Sequence, residues 1–260
     1  MAWAEVNGIR MFFEEHGQGD DVVVFAHGAG GNHLSWWQQA PAFRERYRCI
    51  VFDHRGFGQT VEPEGGPGAN EFSTDLAGLL DNLGIERTFL VAQSMGGGTC
   101  MGFAAAWPER VRGLVMADTM LGMQDDGLAA RLQAFRDSQP GPLTLQGRAY
   151  APALKESRPE MAFLYDSIMA LNPPRTQPTA ERDPRFTATK EKLAAMKVPM
   201  LFIAGELDAI FPPDILEYAS TLVPGARFAK APGCGHSVYF EDAPWFNRTV
   251  SAFLVGCGQN

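Results

Sequence analysis

Residues 89–100 read FLVAQSMGGGTC and join an apolar run to a serine surrounded by small residues. The apolar run is typical of a strand buried on both faces, and the segment after Ser94 has a helical pattern. Ala92 and Gly96 stand two positions on either side of the serine. A backbone that folds back from a strand into a helix leaves no room there for larger side chains. The stretch therefore predicts that Ser94 lies on a tight strand-to-helix turn.

The rest of the chain alternates short apolar runs with helical patterns, which is typical of a mostly parallel sheet covered by helices on both faces. Two leading strands, 2–8 and 10–17, are predicted to form a hairpin through Asn7 and Gly8. The expected fold class is therefore α/β, with an eight-stranded sheet. The other six strands are predicted at 22–28, 47–55, 88–94, 111–119, 199–208 and 226–236.

Helical periodicity is clearest in residues 72–84, where Leu and Phe side chains form one stripe. Ser73 or Thr74 is predicted to cap the first turn, and Gly84 is predicted to end the helix. Further helices are predicted directly after Ser94, at 212–222 and at 244–254.

The alternation of strands and helices stops between residues 122 and 196. Two pieces, 127–138 and 159–172, have a helical pattern, and no convincing strand accompanies them. The segment is too apolar for a disordered linker. We therefore predict a helical cap at 122–196, inserted into a core formed by 1–121 and 197–260.

Composition excludes several classes of partner. The 260 residues carry a net charge of −8, which repels phosphate backbones, so we expect no nucleic-acid partner. No apolar run is long enough to span a bilayer and the first residues lack a secretory pattern, so we expect no membrane association and a cytoplasmic protein. The four cysteines and five histidines show no ligand spacing, so we expect neither a metal nor a cofactor. A small-molecule substrate is the expected partner, and a homo-oligomer stays open.

A serine on such a turn becomes a nucleophile when an acid and a histidine follow it in the chain. His236 lies at the glycine-rich end of the last predicted strand, before the final helix, and Asp208 lies at the end of the strand before it. We predict that Ser94, Asp208 and His236 are catalytic, because the imidazole can take the serine proton while the carboxylate fixes its tautomer. Asp118 is the alternative acid, but it opens into the predicted cap, where we expect it to accept hydrogen bonds from backbone N–H groups.

An acyl-transfer site also needs backbone donors for the oxyanion of its tetrahedral intermediate. The stretch HGAGG, residues 27–31, follows the third strand, and we assign one donor to the N–H of Ala29. Met95, directly after the serine, is predicted to supply the other. His27 is expected to pin this loop.

Five motifs stand in an order that resembles the α/β-hydrolase family: HGAGG (27–31), DHRGFG (53–58), AQSMGG (92–97), GELD (205–208) and GCGHS (233–237). The resemblance covers essentially the whole chain and implies the α/β-hydrolase fold with an inserted cap. It implies structural roles for Asp53 and Arg55, with His54 and Phe57 near the site. Within the family the chain is most similar to the esterase, lactonase and carbon–carbon hydrolase branch. With a serine nucleophile, it does not resemble the haloalkane dehalogenases, whose nucleophile is Asp.

Apolar side chains near the strand ends are the candidates for the walls of a substrate cavity, although each fits the ordinary core equally well. They are Trp36, Trp37, Met95, Met120, Ile210, Phe211 and Tyr239. Arginines of the predicted cap are candidates for binding a substrate carboxylate, although most charged side chains face water. They include Arg131, Arg136, Arg148 and Arg175.

These features favour a serine hydrolase that cleaves a carboxylic ester or lactone of a small, largely apolar substrate through an acyl-enzyme on Ser94. Fold alone does not separate this function from others on the same scaffold. The alternatives are carbon–carbon bond hydrolysis, cofactor-free oxygen or peroxide chemistry on the same triad, and a non-enzymatic receptor for a small ligand.

Overall fold

The computed structural model describes residues 2–141, 145, 147–174 and 183–258. Eight strands form one sheet in the order β1-β2-β4-β3-β5-β6-β7-β8. The pairs β1–β2 and β2–β4 are antiparallel, and all the other pairs are parallel, which confirms the predicted fold class. The strands are β1 (Ala2–Val6), β2 (Ile9–His16), β3 (Val22–Ala26), β4 (Arg48–Phe52), β5 (Thr88–Gln93), β6 (Val111–Ala117), β7 (Met200–Gly205) and β8 (Arg227–Ala231).

Ten α-helices accompany the sheet in the described part of the chain. They are α1 (Gln39–Phe43), α2 (Phe72–Asn82), α3 (Met95–Ala106), α4 (Asp126–Asp137), α5 (Ala153–Ser157), α6 (Pro159–Ala170), α7 (Lys190–Ala194), α8 (Pro213–Thr221), α9 (Val238–Glu241) and α10 (Ala243–Cys257). Short 3-10 helices lie at His33–Trp36, Gly68–Glu71, Pro108–Arg110 and Pro184–Phe186.

Two hydrophobic cores lie on opposite faces of the sheet. Side chains of β5 alternate between them: Leu90 and Ala92 belong to one core, and Phe89 and Val91 to the other. The first core contains apolar residues of α2, α3 and α8, and the second those of α1 and α10. A strand covered on both faces has apolar side chains at every position, which explains the unbroken apolar runs in the sequence.

The hairpin between β1 and β2 turns at the predicted dipeptide. Asn7 has a φ of 44° and Gly8 a φ of 78°, and Val6 pairs with Ile9 across the turn. Positive φ at both central residues is the type I′ geometry, which Asn-Gly adopts readily. The hairpin prediction is confirmed.

The start of α2 differs from the prediction. Glu71 occupies the N-cap position without a side-chain cap, while the Ser73 hydroxyl donates to the Thr99 carbonyl and the Thr74 hydroxyl to the Glu71 carbonyl. The helix continues directly from the 3-10 turn before it, so no free first turn needs a hydroxyl cap. Gly84 has a φ of 65° just after the helix, as predicted.

Between β6 and β7 the described residues form helices α4 to α7, which include both predicted helical pieces. The prediction that this segment has no strand was wrong, because Met123–Gln124 pairs in parallel with Ala188–Thr189. Two-residue strands are too short to leave an alternating pattern in the sequence. The division into a core and a cap at 122–196 stays a prediction.

None of the helices in the described ranges combines the length and the apolar character that crossing a bilayer requires.

Candidate active site

Ser94 lies at the sharp turn between β5 and α3. Its φ of 48° and ψ of −115° are unusual for a residue other than glycine and cost about 1–3 kcal/mol. Its N–H donates to the carbonyl of Ala117 on β6 at 3.0 Å, which helps to hold this conformation. A Cβ atom at Gly96 would overlap the carbonyl oxygen of Ala26, and one at Gly97 would overlap the side chain of Thr119. Gly96 and Gly97 are therefore required by close contacts.

The structure brings Ser94, His236 and Asp208 together. The Oγ of Ser94 is 2.9 Å from Nε2 of His236, and Nδ1 of His236 is 2.9 Å from Oδ2 of Asp208. The other oxygen of Asp208 accepts from the N–H groups of Ile210 at 2.7 Å and Phe211 at 3.0 Å. A carboxylate facing Nδ1 favours the tautomer with its proton there, so Nε2 is left to accept from the serine hydroxyl.

Topology explains why residues 94, 208 and 236 meet. They follow β5, β7 and β8, which run parallel, so their loops emerge at the same edge of the sheet. In open α/β sheets this edge is where ligands bind.

The electrostatic surroundings favour protonation of His236. Burial acts most strongly and lowers the pKa of the imidazole, while the charge of Asp208 and its hydrogen bond raise it. Asp118 and Glu241 add further negative charge, so the pKa of His236 lies above its ordinary value of 6.5. The arrangement thus stabilises the imidazolium that forms when the serine proton is transferred.

Asp118 is a buried carboxylate whose oxygens face backbone donors. Its Oδ1 accepts from Gly205 N at 3.0 Å and its Oδ2 from Val238 N at 3.1 Å. Burial and then the charge of Asp208 raise the pKa of Asp118 well above its usual value. Asp118 was predicted to accept hydrogen bonds from backbone N–H groups at the junction with the cap. The donors instead belong to β7 and to the segment after His236. The reason is that β6, which ends just before Asp118, pairs directly with β7.

The loop after β3 is held by buried histidines. Nδ1 of His27 is 2.8 Å from the Gly28 carbonyl, and Nε2 of His27 accepts from the backbone N–H of His54 at 3.0 Å. His54 is itself buried and contacts the Thr99 hydroxyl at 2.9 Å through Nε2. These contacts agree with the expected role of His27 in fixing the loop. His54 is connected to the loop through its contacts with His27.

Ala29 and Met95 both line the cavity beside Ser94. Met95 is the first residue of α3, and the N–H of a first helical residue has no helical carbonyl to bond. The position suits a donor to a developing oxyanion. Their role as oxyanion donors stays a prediction.

A cavity of about 700 Å³ opens onto Ser94 and His236. This volume suits a small organic ligand. None of the residues lining it in the described part of the chain is a lysine, arginine, aspartate or glutamate. Its apolar walls are formed by Leu121, Leu145, Met169, Pro173, Ile210 and Phe211.

Three aromatic residues predicted as walls do not line this cavity. Trp36 is fully buried with its ring 4.8 Å from that of Tyr239, in the core beneath α10. Trp37 is 42% exposed and packs against Phe240. The prediction for Trp36, Trp37 and Tyr239 was wrong, because Trp36 and Tyr239 pack against each other and against Phe246 of α10, and Trp37 packs against Phe240 of α9.

The prediction that Met120 lines the cavity was also wrong. Met120 is buried in the core on the α3 side of the sheet. Ile210, Phe211 and Met95 do line the cavity, as expected. Ile210 and Phe211 follow Asp208 by two and three residues, so the loop that carries this carboxylate also forms part of the wall.

Asn172 is a lining residue that the sequence did not reveal. Its Oδ1 accepts from the N–H of Gly58 at 3.0 Å and from Nδ2 of Asn32 at 3.4 Å, which fixes the orientation of the amide. Its Nδ2 is buried and has no partner among the described residues. The only signal in the sequence is a polar residue between a helix and two prolines, which does not give the direction of the side chain.

The predicted arginines do not supply a cation to the described walls. Arg131 lies over the ring of Tyr218, Arg136 is exposed, and Arg148 donates to the carbonyl of Ala209. Arg175 lies outside the described residues.

The described ranges contain no group of three or more His, Cys, Asp or Glu side chains placed to hold a metal ion. The four cysteines are free thiols.

Comparison with known proteins gives the same fold. Residues 21–243 match the family model described as alpha/beta hydrolase fold. A 2-hydroxy-6-oxononadienedioate/2-hydroxy-6-oxononatrienedioate hydrolase of Paraburkholderia phymatum is 29% identical over 95% of this chain and 91% of its own. The 3-oxoadipate enol-lactonase 2 of Acinetobacter baylyi is 28% identical over 78% of this chain and 77% of its own. The solved structure of a thermophilic esterase from Thermogutta terrifontis, with malate bound, superposes with a TM-score of 0.81 at 24% identity, covering 98% of each chain. The sheet order, the turn at Ser94 and the match over most of its length show that this chain belongs to the α/β-hydrolase family.

Proposed function

We propose that the protein is a serine hydrolase that cleaves a carboxylic ester or lactone of a small, largely apolar substrate. One observation carries the proposal: the hydrogen-bonded series Ser94–His236–Asp208 ends in an apolar cavity of about 700 Å³. A nucleophile, its base and the group that orients the base are thus in place beside a space for an acyl group.

In the proposed reaction, Oγ of Ser94 attacks the substrate carbonyl while Nε2 of His236 takes the hydroxyl proton. Asp208 stabilises the imidazolium, and the N–H groups of Ala29 and Met95 bind the oxyanion. Collapse of the tetrahedral intermediate breaks the ester C–O bond, and His236 returns the proton to the departing alkoxide. Water then attacks the acyl-enzyme with the same assistance, which releases the acid and restores the serine.

The cavity walls suit an uncharged acyl group. Leu145, Met169 and Pro173 come from the predicted cap, whereas Ile210 and Phe211 come from the core. The cap therefore contributes one side of the substrate space, and its side chains are the natural source of selectivity among acyl groups of different size.

Carbon–carbon hydrolysis is the second candidate, since the Paraburkholderia phymatum relative acts on a 2-hydroxy-6-oxononadienedioate. That substrate carries two carboxylates, and burying a carboxylate is costly without a cation or several hydrogen bonds. The described lining residues include no lysine or arginine. We therefore favour an ester or lactone.

A panel of p-nitrophenyl esters with acyl chains of two to eight carbons, together with simple lactones, tests the proposal. Wild type in EDTA should hydrolyse at least the shorter members, and Ser94→Ala should not. The same panel includes a dicarboxylate of the carbon–carbon type. Cleavage of that compound alone would replace the proposed function by the second candidate, and ligand-induced thermal stabilisation without turnover of any compound would indicate a receptor.

A further inference from the structure

The loop that carries His236 lies directly against the predicted cap. The backbone of Gly235 approaches residues 150 and 151 so closely that a Cβ atom there would overlap the N–H of Ala151. On the other side of the histidine, the Ser237 hydroxyl donates to the carbonyl of Ala149 at 2.6 Å. The residues before and after the histidine thus both contact the segment 149–151.

A single carboxylate joins these two segments. Glu241 ends α9, and its side chain is 7% exposed. Its Oε1 accepts from Ser237 N at 3.1 Å and from Gly235 N at 3.0 Å. Its Oε2 accepts from Ala151 N at 2.8 Å and also lies 3.0 Å from Gly235 N. Glu241 therefore holds the backbone on both sides of His236 and, with the same group, the backbone of the cap.

The ionised form suits these contacts, because three N–H donors converge on two oxygens that have no hydrogen of their own. Burial raises the pKa of Glu241 above its ordinary value, and the bonds from Gly235, Ala151 and Ser237 offset this rise only in part. The titratable groups around this carboxylate are Tyr150, Tyr165, Asp208, Cys234, His236 and Tyr239. Its own backbone carbonyl accepts from the guanidinium of Arg158.

We propose that Glu241 is a positioning residue that couples the cap to the catalytic base, because its carboxylate fixes the loop of His236 and the cap segment at Ala151 as one unit. The inference rests on the proposed function, since it takes His236 as the base. Glu241 does not touch the reacting atoms. A displaced cap would break the bond from the Ala151 N–H to the carboxylate that fixes the His236 loop, so full activity requires the cap to stay in this position.

Two substitutions distinguish the effect of the charge of Glu241 from the effect of its side-chain length. Glu241→Gln keeps the length but turns an NH₂ group toward a backbone donor and removes the charge. Glu241→Asp keeps the charge but is shorter by one methylene, so it cannot hold both segments. Asp242→Asn is the matched control: Asp242 is the adjacent carboxylate, and it caps α10 through Trp245 N at 3.0 Å.

The resting enzyme gives the first readout, without substrate. Amide hydrogen exchange at Ala151 and Ser237 should accelerate together in both Glu241 variants and stay unchanged in Asp242→Asn. The titration of the His236 ring followed by NMR should move to lower pH in both variants, because the loop no longer holds the ring against Asp208, and further in Glu241→Gln, because a negative charge is also lost. Exchange that accelerates at Ser237 alone, with Ala151 still protected, would contradict the coupling.

Turnover gives the second readout. Both Glu241 variants should lose roughly 10- to 100-fold in kcat with a small change in KM, since displacing a catalytic group by about 1 Å has effects of this size. Asp242→Asn should stay within about twofold of wild type. Wild-type kcat in either Glu241 variant would overturn the positioning role. If wild type itself hydrolyses no ester while the exchange result holds, the proposed function fails and the mechanical coupling stands.

Discussion

Replacing Asp208 by Asn is the change whose outcome the geometry defines most sharply. Oδ1 of Asp208 receives two backbone N–H groups, from Ile210 and Phe211, and Oδ2 faces Nδ1 of His236. An amide must keep its oxygen toward the two backbone donors, because turning the NH₂ there would set donors against donors. The NH₂ group then faces Nδ1 and forces the imidazole proton onto Nε2, which can no longer accept the proton of Ser94.

We expect Asp208→Asn to fold normally and to lose roughly 10³- to 10⁴-fold in kcat, about 4–5.5 kcal/mol of transition-state stabilisation. Asp118→Asn should behave differently. Both of its oxygens bind backbone N–H groups, so an amide loses one of these bonds and stability falls by about 1 kcal/mol or somewhat more. Its effect on kcat should be much smaller, since it does not hold the tautomer of His236.

The two variants are compared in one assay, with kcat from hydrolysis of the best p-nitrophenyl ester and the free energy of unfolding from urea titration. Asp208→Glu serves as a control for the charge, because it keeps a carboxylate but displaces it. A large loss of kcat in Asp118→Asn, with Asp208→Asn close to wild type, would refute the assignment and move the acid to the end of β6.

Further predictions concern the nucleophile, the base and the cap. Ser94→Ala and His236→Ala should each lower kcat by roughly 10⁴-fold or more with the double variant little worse, and additive losses measured in the same assay would contradict a joint role. The value of kcat/KM should rise with pH as His236 loses its proton. The midpoint of this rise should lie above pH 6.5, because the pKa of His236 is raised. A value of kcat/KM that falls with pH over the same range would exclude a neutral imidazole as the base. Met169→Ala should change the ratio of kcat/KM between long and short acyl esters, because Met169 lines the cavity. Phe163→Ala is the control and should leave this ratio unchanged, because Phe163 is 75% exposed. Equal effects of Met169→Ala on all esters would mean that the cap does not select substrate.

Much of the geometry of the candidate site could be predicted from the sequence, because it depends on local backbone constraints. The turn at Ser94 needs small residues at fixed positions, and Gly96 meets the carbonyl of Ala26 as that requirement implies. The apolar runs predicted a mostly parallel sheet, and in such a sheet the ends of β5, β7 and β8 lie at one edge. The meeting of Ser94, Asp208 and His236 follows from these features.

The cavity walls were harder to predict, because nearness to a strand end does not determine where a side chain points. Trp36 and Tyr239 lie close to the site in sequence terms, yet each buries its ring against the other in the core. Asn172 and Glu241 act through contacts with residues far away along the chain, such as Gly58 and Ala151. Such contacts form only when distant segments of the chain pack together, so no local sequence pattern predicts them.

The parallel pair Met123–Gln124 and Ala188–Thr189 brings residues near the two ends of the predicted cap side by side. Paired strands lie about 4.8 Å apart, so the chain enters and leaves the predicted cap at nearby points. The entropic cost of closing a loop grows only slowly with its length, so what is spliced between these points can vary widely in size. Domain grafting at this junction therefore offers a route to hydrolases with new acyl preferences, provided that the replacement keeps a backbone N–H donor for Glu241 at the place of Ala151.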